Sequence, residues 1–170
     1  MGQRDSILIT LSKINDTSLE IINQIPDNEI FSLKNESDIF NFINSYAVFN
    51  KHTNRSFDEV KKAYNIAQLI KEECKKAKIE IITKFDDKYP ERFKKLSNYP
   101  PFFYAKGNSS ILKKTGIAII GTRFPSNKGM AWGTKLSEII TGKGYTIISG
   151  LAAGSDSCAH IGCLRAGGET

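Results

Sequence analysis

The chain has little of what most catalytic or metal-binding sites are made from: two histidines, three cysteines and one tryptophan in 170 residues. Cys74, Cys158 and Cys163 match no zinc or redox spacing, so they read as buried thiols in a reducing cytoplasm, with no metal site. No run of 18 apolar residues occurs, which excludes a transmembrane helix. The early apolar patch Ile7-Leu8-Ile9 is too brief for a signal-peptide core. Neither the dinucleotide fingerprint GxGxxG nor the phosphate-loop pattern GxxxxGK[ST] is present, so no nucleotide cofactor is expected. An ordinary NAD(P) oxidoreductase and a Walker-type ATPase are both disfavoured. Ser149 and Ser157 lack the nucleophile-elbow spacing, which argues against a hydrolase. No low-complexity segment, long linker or internal repeat appears.

What is present is 40% apolar and 25% charged, an ordinary globular composition. Charge is uneven along it. Residues 1–80 carry 11 Lys/Arg and 12 Asp/Glu, net −1, and residues 81–170 carry 13 and 6, net +7. The basic excess therefore sits in the second half, as expected beside a polyanion or a polyphosphate. Runs such as Lys94-Lys95 and Lys113-Lys114 read equally well as solvated faces.

The first 78 residues have helical spacing. Ile7, Leu8, Leu11 and Ile14 share one face. Thr17 with Glu20 suggests a capping box for a helix through Leu19, Ile22 and Ile25, stopped by Pro26. A third helix is expected over 38–49. The clearest is 57–77, capped by Ser56 and Glu59, with Val60, Ala63, Tyr64, Ala67, Ile70 and Cys74 repeating every three or four residues. His52 stands alone in a polar loop.

From Ile79 the pattern becomes α/β. Strands are expected at 80–83, 102–105, 117–120 and 145–149. Asp86-Asp87-Lys88-Tyr89-Pro90 makes a turn into a short helix, and longer helices follow at about 127–142 and from Ser155 or Asp156 to about Ala166. The spacing puts Trp132, Leu136, Ile139 and Ile140 on the apolar side of the first long one. The expected architecture is a helical bundle, 1–78, followed by a Rossmann-like parallel-sheet domain, 79–170.

Two apolar runs end at glycine and lead into helices: Gly116-Ile117-Ala118-Ile119-Ile120-Gly121-Thr122-Arg123, and Tyr145 through Ser149-Gly150 to Gly154-Ser155-Asp156. Such turns expose backbone N–H groups at the positive end of a helix, where a phosphate can sit. Gly121 permits close approach, Thr122 supplies a hydroxyl, Arg123 a planar fork and Ser126 an N-cap. Ser149, Gly150 and Gly154 are the matching candidates in the second loop, with Asp156 as a cap. His160 lies four residues from Asp156, but packing explains it better than acid/base work, since no nucleophile or third partner accompanies the pair. Tight strand-to-helix turns with no ligand are the plain alternative.

Gly121-Thr122-Arg123, Ser149-Gly150-Leu151-Ala152, Gly154, Asp156, Ala159-His160 and Ala166-Gly167-Gly168 together resemble the DprA/Smf family of DNA-processing proteins. So do Asp87-Lys88-Tyr89-Pro90, Tyr99-Pro100-Pro101, Tyr104 and Lys106-Gly107-Asn108. The resemblance implies a non-enzymatic bacterial cytoplasmic protein with a Rossmann-like domain. Such a protein binds single-stranded DNA in natural transformation, protects it, loads the recombinase RecA and forms a homodimer. Arg123 matches the family's DNA-contact arginine, and the 150–154 loop would line the same pocket. Ala153 stands where the family has arginine, and Ser155 where it has isoleucine, which removes one phosphate contact. The resemblance also implies a domain continuing past residue 170, so the chain corresponds to the front half of such a protein. A different class, a nucleotide sensor or phosphoribohydrolase-like enzyme on a related Rossmann-like fold, fits the pocket but lacks an acidic catalytic residue other than Asp156.

Overall fold

Helix α1 (Gln3–Lys13) is apolar beyond one stripe, and it is buried from Asp5 through Leu11. A helix enclosed on every side needs neighbours on every side. They are α2 (Leu19–Gln24), α3 (Asp27–Ser32), α5 (Phe57–Lys76) and the strands β1 (Ile79–Thr83) and β2 (Phe102–Lys106). A computed structural model describes residues 2–15, 17–45 and 55–170. His52 and the end of the expected third helix, 46–49, lie outside the described residues; the described part of that helix is α4 (Glu36–Ser45). The chain divides by contact into Met1–Ser109 and Ser110–Thr170. The change of pattern at residue 79 is thus a change of secondary structure within the first unit.

The caps explain most helix starts. Ser56 Oγ accepts from Glu59 N–H at 3.2 Å and opens α5. The α2 cap is Ser18 rather than Thr17: Ser18 Oγ accepts from Ile21 N–H at 3.3 Å. Thr17 instead donates its N–H to the Ile14 carbonyl, 3.2 Å away, which holds it in the preceding turn. Pro26 ends α2 and also begins α3, where a missing N–H costs nothing. Helix α5 buries Val60, Ala63, Ala67 and Cys74 at the expected spacing. Buried Asp5 accepts from Gly2 N–H at 3.0 Å, while Lys71 Nζ reaches Gly2 O and Ser6 Oγ. Burial pushes the Asp5 carboxyl up, and the Lys71 charge opposes the shift.

One expectation fails here. The strands β1 and β2 are not part of a parallel sheet: they pair with each other, antiparallel, with Ile79 opposite Lys106 and Thr83 opposite Phe102. Alternation and apolarity do not encode direction, and the 83–102 connection is compact enough for an antiparallel return. It is closed by Asp86 Oδ2, which accepts from Thr83 N and Oγ1, both at 2.7 Å. Lys88 Nζ donates to Glu80, 2.7 Å, and to Ser109 Oγ, 3.1 Å; the Lys88 bond and a second from the Ser109 hydroxyl, 2.9 Å, hold the Glu80 carboxyl down. Tyr89 is buried against Phe93 and Phe103, and its hydroxyl donates to Pro100 O at 2.6 Å.

In the second unit β3 (Gly116–Ala118) and β4 (Thr146–Ile148) run parallel, Ile117 opposite Ile147. Helix α6 (Asn127–Gly142) connects them and α7 (Ser155–Arg165) follows. The core here is Ile147, Ala159 and Cys163, with Ile119 and Ile140 packed on it. The α6 face carrying Trp132, Leu136 and Ile139 is exposed, contrary to a core-facing stripe. The face toward α7 is made of small residues instead: Ser137 is buried with Oγ on Ala159 O at 2.5 Å, and a Cβ on Gly162 would collide with Thr134 and Ser137. All three cysteines are buried and free. Among the described residues no helix is long and apolar enough to cross a membrane.

Burial raises the Tyr89 hydroxyl to about 12. Replacing it in Tyr89→Phe removes one buried hydrogen bond, and urea unfolding at pH 8 is expected to show a loss of about 1 kcal/mol. The tyrosine's contribution is full below about pH 10, its unfolded value. It is lost as pH rises through about 12. The parent should therefore lose its advantage over Tyr89→Phe as pH rises from about 10 toward about 12.

Candidate nucleic-acid interface

Parallel β3 and β4 end side by side, so the loops after them emerge at one edge. They are locked together there. Ser155 N–H donates to Thr122 O at 3.0 Å. Gly154, at φ +89°, leaves no room for a side chain: a Cβ would lie 2.5 Å from Arg123 O and 2.6 Å from Thr122 O. A Cβ on Gly121 would lie 2.6 Å from Ser155 Oγ. At Gly154 backbone meets backbone in a left-handed conformation, and at Gly121 backbone meets the Ser155 side chain, so neither position has room for a Cβ.

Of the sequence-predicted site residues, the structure gathers Gly121, Thr122, Arg123 and Gly154 at this contact. Thr122 Oγ1 accepts from Phe124 N–H at 3.1 Å, which turns the chain toward α6. Ser126 caps α6, accepting from Gly129 N–H at 3.1 Å. That leaves the Asn127 and Lys128 N–H groups without intrahelical partners, at the positive end of a four-turn helix. Ser149 Oγ donates to Ile119 O at 2.6 Å and so ties one strand end to the other. Gly150 lies over Asp156: a Cβ there would be 2.8 Å from Oδ2.

Asp156 is not the cap of α7. The helix begins after Gly154, and Asp156 sits within its first turn, buried, with Oδ2 accepting from Ala152 N–H at 3.4 Å. Its carboxylate braces the second loop from beneath. Ser157 Oγ adds a bond to Ala152 O at 2.8 Å. His160 does not pair with Asp156; its Nδ1 lies 2.7 Å from Thr170 Oγ1, which donates to Ile147 O. The two ends of this chain of bonds are backbone and helix, with no reactive group between them. Among the described residues no group of three His, Cys, Asp or Glu side chains is gathered for a metal.

The electrostatics favour an anion at the first loop. Residues 110–170 hold seven Lys/Arg and three Asp/Glu, net +4. Of the acids, Glu169 pairs with Lys114, Glu138 pairs with Lys135 at 3.1 Å, and Asp156 is buried under the second loop. Arg123 and Lys128 are exposed, and among the described residues neither forms an ion pair with a carboxylate. Two residues were not legible as part of the site. Ser155 anchors the loop contact through its N–H, which its side chain gives no sign of. Phe124 is 91% exposed beside Arg123; an aromatic next to an arginine inside a glycine-bounded loop was the available signal.

A family model described as DNA recombination-mediator protein A matches residues 80–170. The chain is 37% identical over 103 residues to Protein Smf of Synechocystis, covering 58% of this chain and 26% of that protein. It is 37% identical over 83 residues to the DNA processing protein DprA of Bacillus subtilis, covering 48% of this chain and 28% of that one. The X-ray structure of DNA processing protein A from Streptococcus pneumoniae superposes with a TM-score of 0.70 at 25% identity, over 99% of this chain and 56% of that one. The matched stretch thus spans about a quarter of the length of these curated relatives.

Gly154→Ala should separate the loops, costing about 1–3 kcal/mol from strain and collision. Gly144→Ala is the control: it shares a positive φ, +85°, but has nothing within 4 Å of its Cβ. Urea unfolding should show the larger loss for Gly154→Ala.

Proposed function

The chain belongs to the DNA recombination-mediator protein A family, and from that premise we propose that it binds single-stranded DNA along the edge where β3 and β4 hand over to α6 and α7. The observation that carries this is the exposed Arg123, held on a bonded loop at a helix N-terminus with no carboxylate paired to it among the described residues. An arginine fork and first-turn N–H groups suit phosphate oxygens. A strand threading past them would be held chiefly by its backbone, and so with little regard to sequence.

Binding is non-catalytic in this reading. A nucleotide-processing enzyme would need a carboxylate free to act, and Asp156 is buried and bonded to Ala152. Protecting incoming DNA during natural transformation, in a bacterial cytoplasm, is the role such binding would serve. Delivery of the strand to RecA, and pairing of two copies, belong to the same proposal. Neither is needed for the strand contact itself.

Anisotropy with a fluorescent oligo-dT should show affinity falling linearly with salt on a logarithmic plot, with a slope of about −0.7 per phosphate contacted. Arg123→Ala should weaken binding about tenfold and reduce that slope by roughly one contact. Unchanged affinity in Arg123→Ala, in a protein whose circular dichroism matches the parent, would remove the reading's main support. So would salt-independent binding.

A further inference from the structure

The edge that carries Arg123 also carries three large apolar side chains with almost nothing on them. Phe124 is 91% exposed, Ile120 79% and Leu151 78%. Single exposed apolar residues are ordinary on any surface. Three on the loops of one sheet edge, interleaved with a cation, are less so. Their backbone is not loose. Phe124 N–H is held by Thr122 Oγ1, the neighbouring carbonyls of Thr122 and Arg123 close on Gly154, and Pro125 and the Ser126 cap follow at once. Leu151 is fixed at a positive φ, +59°, by a loop bonded at both Ala152 N–H and Ala152 O. Among the described residues no aromatic ring stacks on Phe124. The ring is therefore presented to solvent on a rigid mount, immediately after the arginine.

A ligand that satisfies both groups needs negative charge and an accessible flat π-face. Inorganic phosphate has no such face, and a duplex hides its base faces in the stack. A single strand has both, and stacking on an aromatic ring tolerates any base. We propose that Phe124 stacks against one unstacked base while Arg123 holds an adjacent phosphate, and that the ring sets the preference for single strand over duplex. Ile120 and Leu151 border it with apolar surface. This rests on the nucleic-acid reading given above and assigns the residue that reads the bases.

The test compares three probes of equal length on the same 170-residue chain: oligo-dT, an abasic strand with the same phosphates, and a blunt duplex. The parent should bind oligo-dT about tenfold more tightly than the abasic strand, as expected for one base stacked on one ring. Phe124→Ala should lose that advantage, leaving abasic binding and the salt slope unchanged, and Phe124→Trp should keep it. Fluorescence of the introduced tryptophan should be quenched by oligo-dT and not by the abasic strand. If the parent binds the abasic strand as tightly as oligo-dT, or Phe124→Ala weakens both alike, stacking is overturned and the phosphate reading survives. Should none of the probes bind, both are overturned.

Discussion

A missing methyl group organises the second unit. Gly154 lets the backbone of the second loop lie directly on the carbonyls of Thr122 and Arg123, and the Ser155 N–H completes the contact. Two strand-to-helix turns that would otherwise move separately become one rigid edge. Everything proposed for that edge follows. The arginine stands on a fixed mount, the α6 N-terminus keeps its orientation, and the buried Asp156 supports the neighbouring loop instead of competing for cations at the surface. The negative groups of the unit are placed where they do not neutralise Arg123.

The residues in the first unit that resemble the family have a structural explanation. Lys88 and Tyr89 occupy a turn whose return strand is fastened by Glu80, Ser109 and Pro100. Asp86 closes that turn through Thr83. These side chains fasten the connection between the two antiparallel strands, and nothing in their geometry suggests ligand chemistry. Motifs shared across a family can thus divide in two: one set that shapes a scaffold, and one that meets the ligand.

Legibility followed the physics of each signal. Helices α5 and α6 were readable to within a residue because each opens on a serine cap, Ser56 and Ser126, and α5 adds a regular apolar repeat. The α/β character of the second half and its glycine loops were readable for the same reason. The direction of β1 against β2 was not, since hydrogen-bond partners far apart in sequence decide it. The short helix Asp27–Ser32 was missed because Pro26 is both a stop and a start. The role of α6 was misjudged from spacing: its bulky residues Trp132, Leu136 and Ile139 pointed to a core face, yet its small residues make the contact with α7. Asp156 looked like a cap because it stands near a helix start, and only the fold shows that its carboxylate turns under Ala152.

That small-residue crossing has a mechanical side. Gly162 sits against Thr134 and Ser137, and Gly133 faces Cys158, so α6 and α7 approach at nearly backbone distance. Close-packed interiors yield little when volume is added. A single extra carbon at this seam would pry two stiff rods apart, and rods convey such a push along their whole length. Their leading ends bear Ser126 and Gly154, so a change buried far from solvent would be felt as a misaligned grip at the rim.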